Sequence, residues 1–71
     1  MKVNTGSPER EKIRRLRLRA GMSQESLAQR VGVTTHTIWR LENGPTFNPR
    51  FETLRALAKA LGIPLKELLD V

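Results

Sequence analysis

Seventy-one residues give one small domain with a single core, and with no Cys that core must hold without disulfides or Cys-bound metal. One His is too few for a conventional His-rich metal site, so neither metal nor cofactor is expected. The formal net charge of +6 and the pI near 11.2 suit a polyanion partner, although a merely solvated basic surface gives the same balance.

Residues 1–7 lack the apolar core of a signal peptide, and no apolar run approaches the length of a membrane span. They are expected to form a flexible arm on a cytoplasmic protein. The first helix is expected over about Pro8–Ala20, with Ser7 as its cap and Pro8 in the first turn, where a missing N–H costs nothing. Ile13, Leu16 and Ala20 share its apolar face, and Arg17 borders that face. Most of the charge excess sits in this segment, which sets Lys2, Arg10, Lys12, Arg14, Arg15, Arg17 and Arg19 against Glu9 and Glu11.

The run SQESLAQRVGVTTHTIWRLENG, Ser23 to Gly44, reads as two short helices joined by a tight turn. Ser23 and Thr34 each stand where a hydroxyl caps the helix that follows. Met22 with Leu27, and Val33 with Ile38, stand at staple spacing around those caps. Leu27, Ala28 and Val31 form one apolar face, Ile38 and Leu41 a second. Gly32 lies between them, where a left-handed residue ends the earlier helix. Such a pair holds its second helix out from the body, in position to enter a DNA major groove.

After the loop Pro45 to Pro49, a fourth helix is expected from near Arg50, with Phe51, Leu54, Leu57, Ala58 and Leu61 inward. A short fifth helix covers about Leu65 to Leu69, with Pro64 at its cap position and Ile63 stapling to Leu68. Gly21, Gly32, Gly44 and Gly62 all fall at the ends of apolar-periodic segments, and no stretch alternates as a strand would. The fold class read from this pattern is all-α, a compact five-helix bundle over residues 8–71. The apolar tail of Leu65, Leu68, Leu69 and Val71 either closes the core or forms a dimer surface.

A helical wheel finds the outward face of the third helix, about Thr35–Glu42. With Ile38 and Leu41 set inward, steps of roughly 100° place His36, Arg40 and Asn43 on the opposite side and Trp39 on one flank. Thr35 lies at the N-terminal end, which in such motifs approaches base edges. Thr35, His36 and Arg40 are therefore the candidate base contacts. Arg40 suits guanine O6 and N7 in a two-pronged mode, His36 a purine acceptor, and the Thr35 methyl a thymine methyl. Contact by Arg40 with phosphate alone is the competing assignment. Trp39 is expected to pack partly, with one edge exposed.

The segment resembles the helix-turn-helix of the Cro and phage-repressor type, the XRE-like family of small regulators. The resemblance rests on Ser23-Gln24, Leu27-Ala28, Val31-Gly32-Val33, Ile38 and Leu41-Glu42-Asn43-Gly44. It extends upstream through Ile13-Arg14-Arg15-Leu16-Arg17 and downstream from Pro49-Arg50-Phe51 to Leu69. It implies that Gln24 touches the DNA backbone and braces the reading helix, that Arg17 pairs with Glu42, and that a homodimer binds a two-fold operator. Gln24 also opens a helix whose N-terminus suits phosphate. Thr34, Asn43, Thr46, Asn48 and Arg50 complete the candidate backbone contacts, against the bland alternative that the loop carrying Thr46, Phe47 and Asn48 is an ordinary connector. Pro45 departs from the basic residue common after the Gly, and Pro64 from the usual Ser or Asp cap of the fifth helix.

The function expected is a sequence-specific transcriptional regulator, a repressor, whose partner is double-stranded DNA. The alternative keeps the fold but makes the chain an antitoxin or adaptor module for protein partners. No enzyme is expected, because no nucleophile or phosphate-cradling glycine loop accompanies the single exposed His. Nor do 71 residues leave room for a separate sensor domain, so no small-molecule effector is evident.

Overall fold

Two hydroxyl caps and one left-handed glycine set the register of the central helix pair. In the computed structural model, which describes residues 8–44 and 49–69, the chain forms α1 (Pro8–Arg19), α2 (Gln24–Val31), α3 (Thr35–Asn43), α4 (Phe51–Leu61) and α5 (Leu65–Leu69). No strand occurs among the described residues, so the all-α, five-helix expectation holds. The arm at residues 1–7 with its Ser7 cap, the loop residues Pro45, Thr46, Phe47 and Asn48, and Val71 lie outside the described residues.

Both expected caps form. Ser23 Oγ accepts from the Ser26 N–H at 3.0 Å, and Thr34 Oγ1 accepts from the Thr37 N–H at 3.1 Å. Each satisfies a donor that the first turn of a helix cannot pair internally. Gly32 ends α2 at φ 90° and ψ 28°, and its N–H and that of Val33 both donate back to the Ala28 carbonyl, at 2.8 and 3.0 Å. That left-handed turn reverses the chain within three residues and starts α3 at once. At Gly44 the reason for glycine differs. Its backbone is extended, at φ −68° and ψ 166°, but a Cβ there would lie 2.6 Å from the Arg40 carbonyl oxygen.

The core is one cluster of Ile13, Leu16, Leu27, Ala28, Ile38, Leu41, Leu57, Ala58 and Leu68. Met22, Val33 and Ile63, the expected staple residues, pack against it. The reading-helix candidate α3 is seated on α2 and α1, while α4 bridges α2 and α5. Leu68 closes the core, whereas Leu69 remains 48% exposed.

Two inward assignments are corrected. Ala20 is exposed, because α1 stops at Arg19 and the chain turns away before Ala20 can reach the core; Arg17 takes the inward place instead. Phe51 is 59% exposed. It lies on the expected stripe of α4 but in the first position of the helix, one turn ahead of Leu54, where the packed stripe begins.

Candidate nucleic-acid interface

The site starts from what immobilises α3. Arg17 Nε donates to Glu42 Oε2 at 2.7 Å and Arg17 Nη2 donates to Glu42 Oε1 at 3.0 Å, a two-pronged pair joining α1 to α3. Its side chains are 8% and 0% exposed, so both partners are buried. Arg17 Nη1 also donates to the Met22 carbonyl at 3.0 Å, which ties the guanidinium to the turn before α2 as well. The hydrogen bond to Glu42, partly opposed by burial, holds the guanidinium above the ordinary arginine range. The pairing energy carried by that proton is therefore fully present below the usual arginine value and is lost only as pH rises through the higher folded value.

Gln24, at the start of α2, adds a third tie by donating from Nε2 to Glu42 Oε1 at 3.2 Å. Glu42 thus receives donors from α1 and α2 together, and the C-terminal half of α3 is fixed against both. The bracing role is visible; phosphate contact by Gln24 would have to use its remaining amide groups or the α2 N-terminus.

With Ile38, Leu41 and Glu42 buried, α3 exposes Thr35, His36, Trp39, Arg40 and Asn43. This is the face the wheel selected. Thr35 is the first residue of the helix, and Thr34 before it is engaged as the cap, its hydroxyl also 3.0 Å from that of Thr37. Asn43 lies exposed near the far end and donates from Nδ2 to the Trp39 carbonyl at 3.2 Å. Trp39 is 47% exposed, and its ring stacks on His36 with centroids 5.9 Å apart and planes 10° from parallel.

Arg40 and Arg50 come together where the sequence kept them apart. With His36, Thr37, Leu41, Pro49 and Thr53 they line an open cleft of about 390 Å³ between α3 and the start of α4. Among the described residues no carboxylate lines this cleft and neither arginine pairs with one. Two permanent positive charges with nearby threonine hydroxyls make a surface suited to phosphate oxygens or to guanine acceptors. Thr53 was missed at the sequence level because it is separated from α3 by the loop, and spacing alone does not report which face of α4 turns toward Arg40. Thr46 and Asn48, the remaining loop candidates, lie outside the described residues. The candidates thus gather on the outer face of α3 and the start of α4, with Gln24 and Thr34 at the two helix starts.

A family model described as helix-turn-helix matches residues 13–68. The cryptic phage CTXphi transcriptional repressor RstR of Vibrio cholerae is 41% identical over 59 residues, 83% of this chain. The chain spans about half the length of that repressor, 52%. An uncharacterized HTH-type transcriptional regulator of Archaeoglobus fulgidus is 37% identical over 59 residues, 83% of each protein. Among solved structures, the DNA-binding domain of the P22 C2 repressor matches with a TM-score of 0.81 and 36% identity, covering 94% of this chain and 86% of that one. The restriction-modification controller protein C.AhdI of Aeromonas hydrophila matches with a TM-score of 0.79 and 33% identity, over 84% of this chain and 89% of its own. A clasped, outward-facing third helix, a basic cleft beside it and these likenesses converge: the chain belongs to the XRE-type helix-turn-helix family of DNA-binding transcriptional regulators.

Proposed function

We propose that this chain represses transcription by binding an operator sequence as a homodimer, each protomer laying α3 in the major groove. Thr35, His36 and Arg40 read base edges. Gln24, Thr34, Asn43 and Arg50 hold phosphates, together with Thr46 and Asn48 of the connecting loop. The observation that carries this reading is the sorting of α3 into two faces. Ile38, Leu41 and Glu42 are buried, and Thr35, His36 and Arg40 are in solvent. A helix whose inner face is locked by an ion pair and whose outer face presents donors without core function is built to meet another surface. The excess of basic residues makes that surface a polyanion.

Repression is supported by the name of one relative, a phage transcriptional repressor, whereas dimerisation rests on the family resemblance of the sequence alone. Selection of bound sequences from random DNA, followed by footprinting, tests the proposal. A two-fold consensus with half-sites about one helical turn apart, roughly 34–36 Å, is expected. Recovery of no consensus, or of a single half-site with a monomer mass in the complex, would refute the dimeric reading.

A further inference from the structure

Trp39 has no part in the contacts assigned above, and it has no part in the core either. It is 47% exposed and lies outside the buried cluster. Its ring lies instead against His36, three residues earlier on α3, with centroids 5.9 Å apart and planes 10° from parallel. That separation falls within the range of favourable offset stacking, about 4.5–7 Å. His36 in turn lines the cleft shared by Arg40 and Arg50. The imidazole therefore stands between an aromatic plate on one flank and a cationic cleft on the other. The Asn43 side chain ties down the Trp39 carbonyl at 3.2 Å, so the plate rises from a secured turn of helix.

An exposed imidazole without such a neighbour samples several rotamers, and each must be given up when a base is bound. A ring already held in one orientation reads one acceptor pattern and penalises the others. We propose that Trp39 is a positioning residue. By stacking on His36 it fixes the imidazole for a single base pair and sets the preference there without reading a base itself. This rests on the reading of His36 as a base contact, and goes beyond it by naming the residue that makes His36 selective.

The test uses the whole chain and an operator obtained by selection from random DNA, with every base pair substituted in turn. The variants are His36→Ala, Trp39→Ala, Trp39→Phe and the double variant His36→Ala/Trp39→Ala. Trp39→Ala is expected to relax preference at the same base pair as His36→Ala, by about 2- to 12-fold, the factor that loss of an aromatic pair supplies. Trp39→Phe should restore most of it, and the double variant should be no less selective there than His36→Ala alone. The salt dependence of binding should not change. In the free protein, proton NMR should show the His36 ring protons shifted upfield by the indole, and the shift should vanish in Trp39→Ala. A Trp39→Ala effect at a different base pair, or one additive with His36→Ala, would show direct contact by the indole and overturn the positioning role. Unshifted His36 protons would overturn it alone, leaving the base contacts standing. A His36→Ala variant with an unchanged preference profile would overturn the His36 contact and this role with it.

Discussion

The carboxylate of Glu42 accepts from Arg17 at 2.7 and 3.0 Å and from Gln24 at 3.2 Å, so one side chain on α3 is held by α1 and α2 at once. Both charges of the pair are almost wholly removed from water. A buried pair is expensive to break, because the survivor stays charged in a place that cannot solvate it.

Arg17→Ala should accordingly lower unfolding free energy by about 3–5 kcal/mol, while Arg14→Ala on the exposed face of α1 should change it by no more than about 0.5 kcal/mol. Replacing both partners, Arg17→Met with Glu42→Leu, should recover much of the loss, since no orphaned charge remains. Denaturant titrations with unchanged slope decide the matter. Equal midpoints for Arg17→Ala and Arg14→Ala would mean that the pair contributes nothing.

Binding to DNA should weaken steeply with salt. If each protomer neutralises about four phosphates, log K against log salt should fall with slope near −3.6, and about twice that for a dimer. Fluorescence anisotropy across a salt series measures it, and a flat response is incompatible with a phosphate-holding surface.

Arg40 and Arg50 share a cleft but are assigned different work. Arg40→Ala should relax preference at one base position by about 1–3 kcal/mol. Arg50→Ala, at the cap of α4, should weaken all sequences nearly alike and reduce the salt slope by about one unit. Because the two line one cleft, their effects should couple by more than about 0.5 kcal/mol in a double-mutant cycle. An Arg40→Ala variant that lowers affinity without altering the preference profile would reassign Arg40 to phosphate.

Gly32 and Gly44 should respond differently to the same substitutions. At Gly32 the space is open and only the left-handed backbone resists a side chain. Asn, which tolerates that conformation, should be milder there than Ala. At Gly44 the obstacle is the Arg40 carbonyl oxygen 2.6 Å from any Cβ, so Ala and Asn should both cost about 1–3 kcal/mol. Thermal melts of the four variants separate backbone conformation from collision.

What the sequence disclosed follows a physical rule. Helix starts and stops at Ser23, Gly32, Thr34 and Gly62 were legible because a capping hydroxyl or a glycine acts on its immediate neighbours. The outward face of α3 was legible because two fixed inward residues determine a wheel. Ala20 and Phe51 were misread for the same reason as each other. Periodicity tells which face a residue occupies, not whether its position falls at the end of its own helix, beyond the packed stripe. The Arg17 bond to the Met22 carbonyl, the meeting of Arg40 with Arg50, and the stacking of Trp39 on His36 depend on rotamers and on packing across loops, which spacing does not encode.

The clasp on Glu42 and the exposed side chains of His36 and Arg40 occupy different sides of one helix, and none of the residues assigned to base edges takes part in the clasp. If α3 reads its operator as proposed, recognition can be rewritten without rebuilding the scaffold. Exchanging Thr35, His36, Trp39 and Arg40 alters four solvent-facing positions while every tie to α1 and α2 stays in place. A small domain arranged this way is open to diversification. Descendants of one such chain can drift to separate operators in the same cell and remain insulated from each other, with the clasp as the part they continue to share.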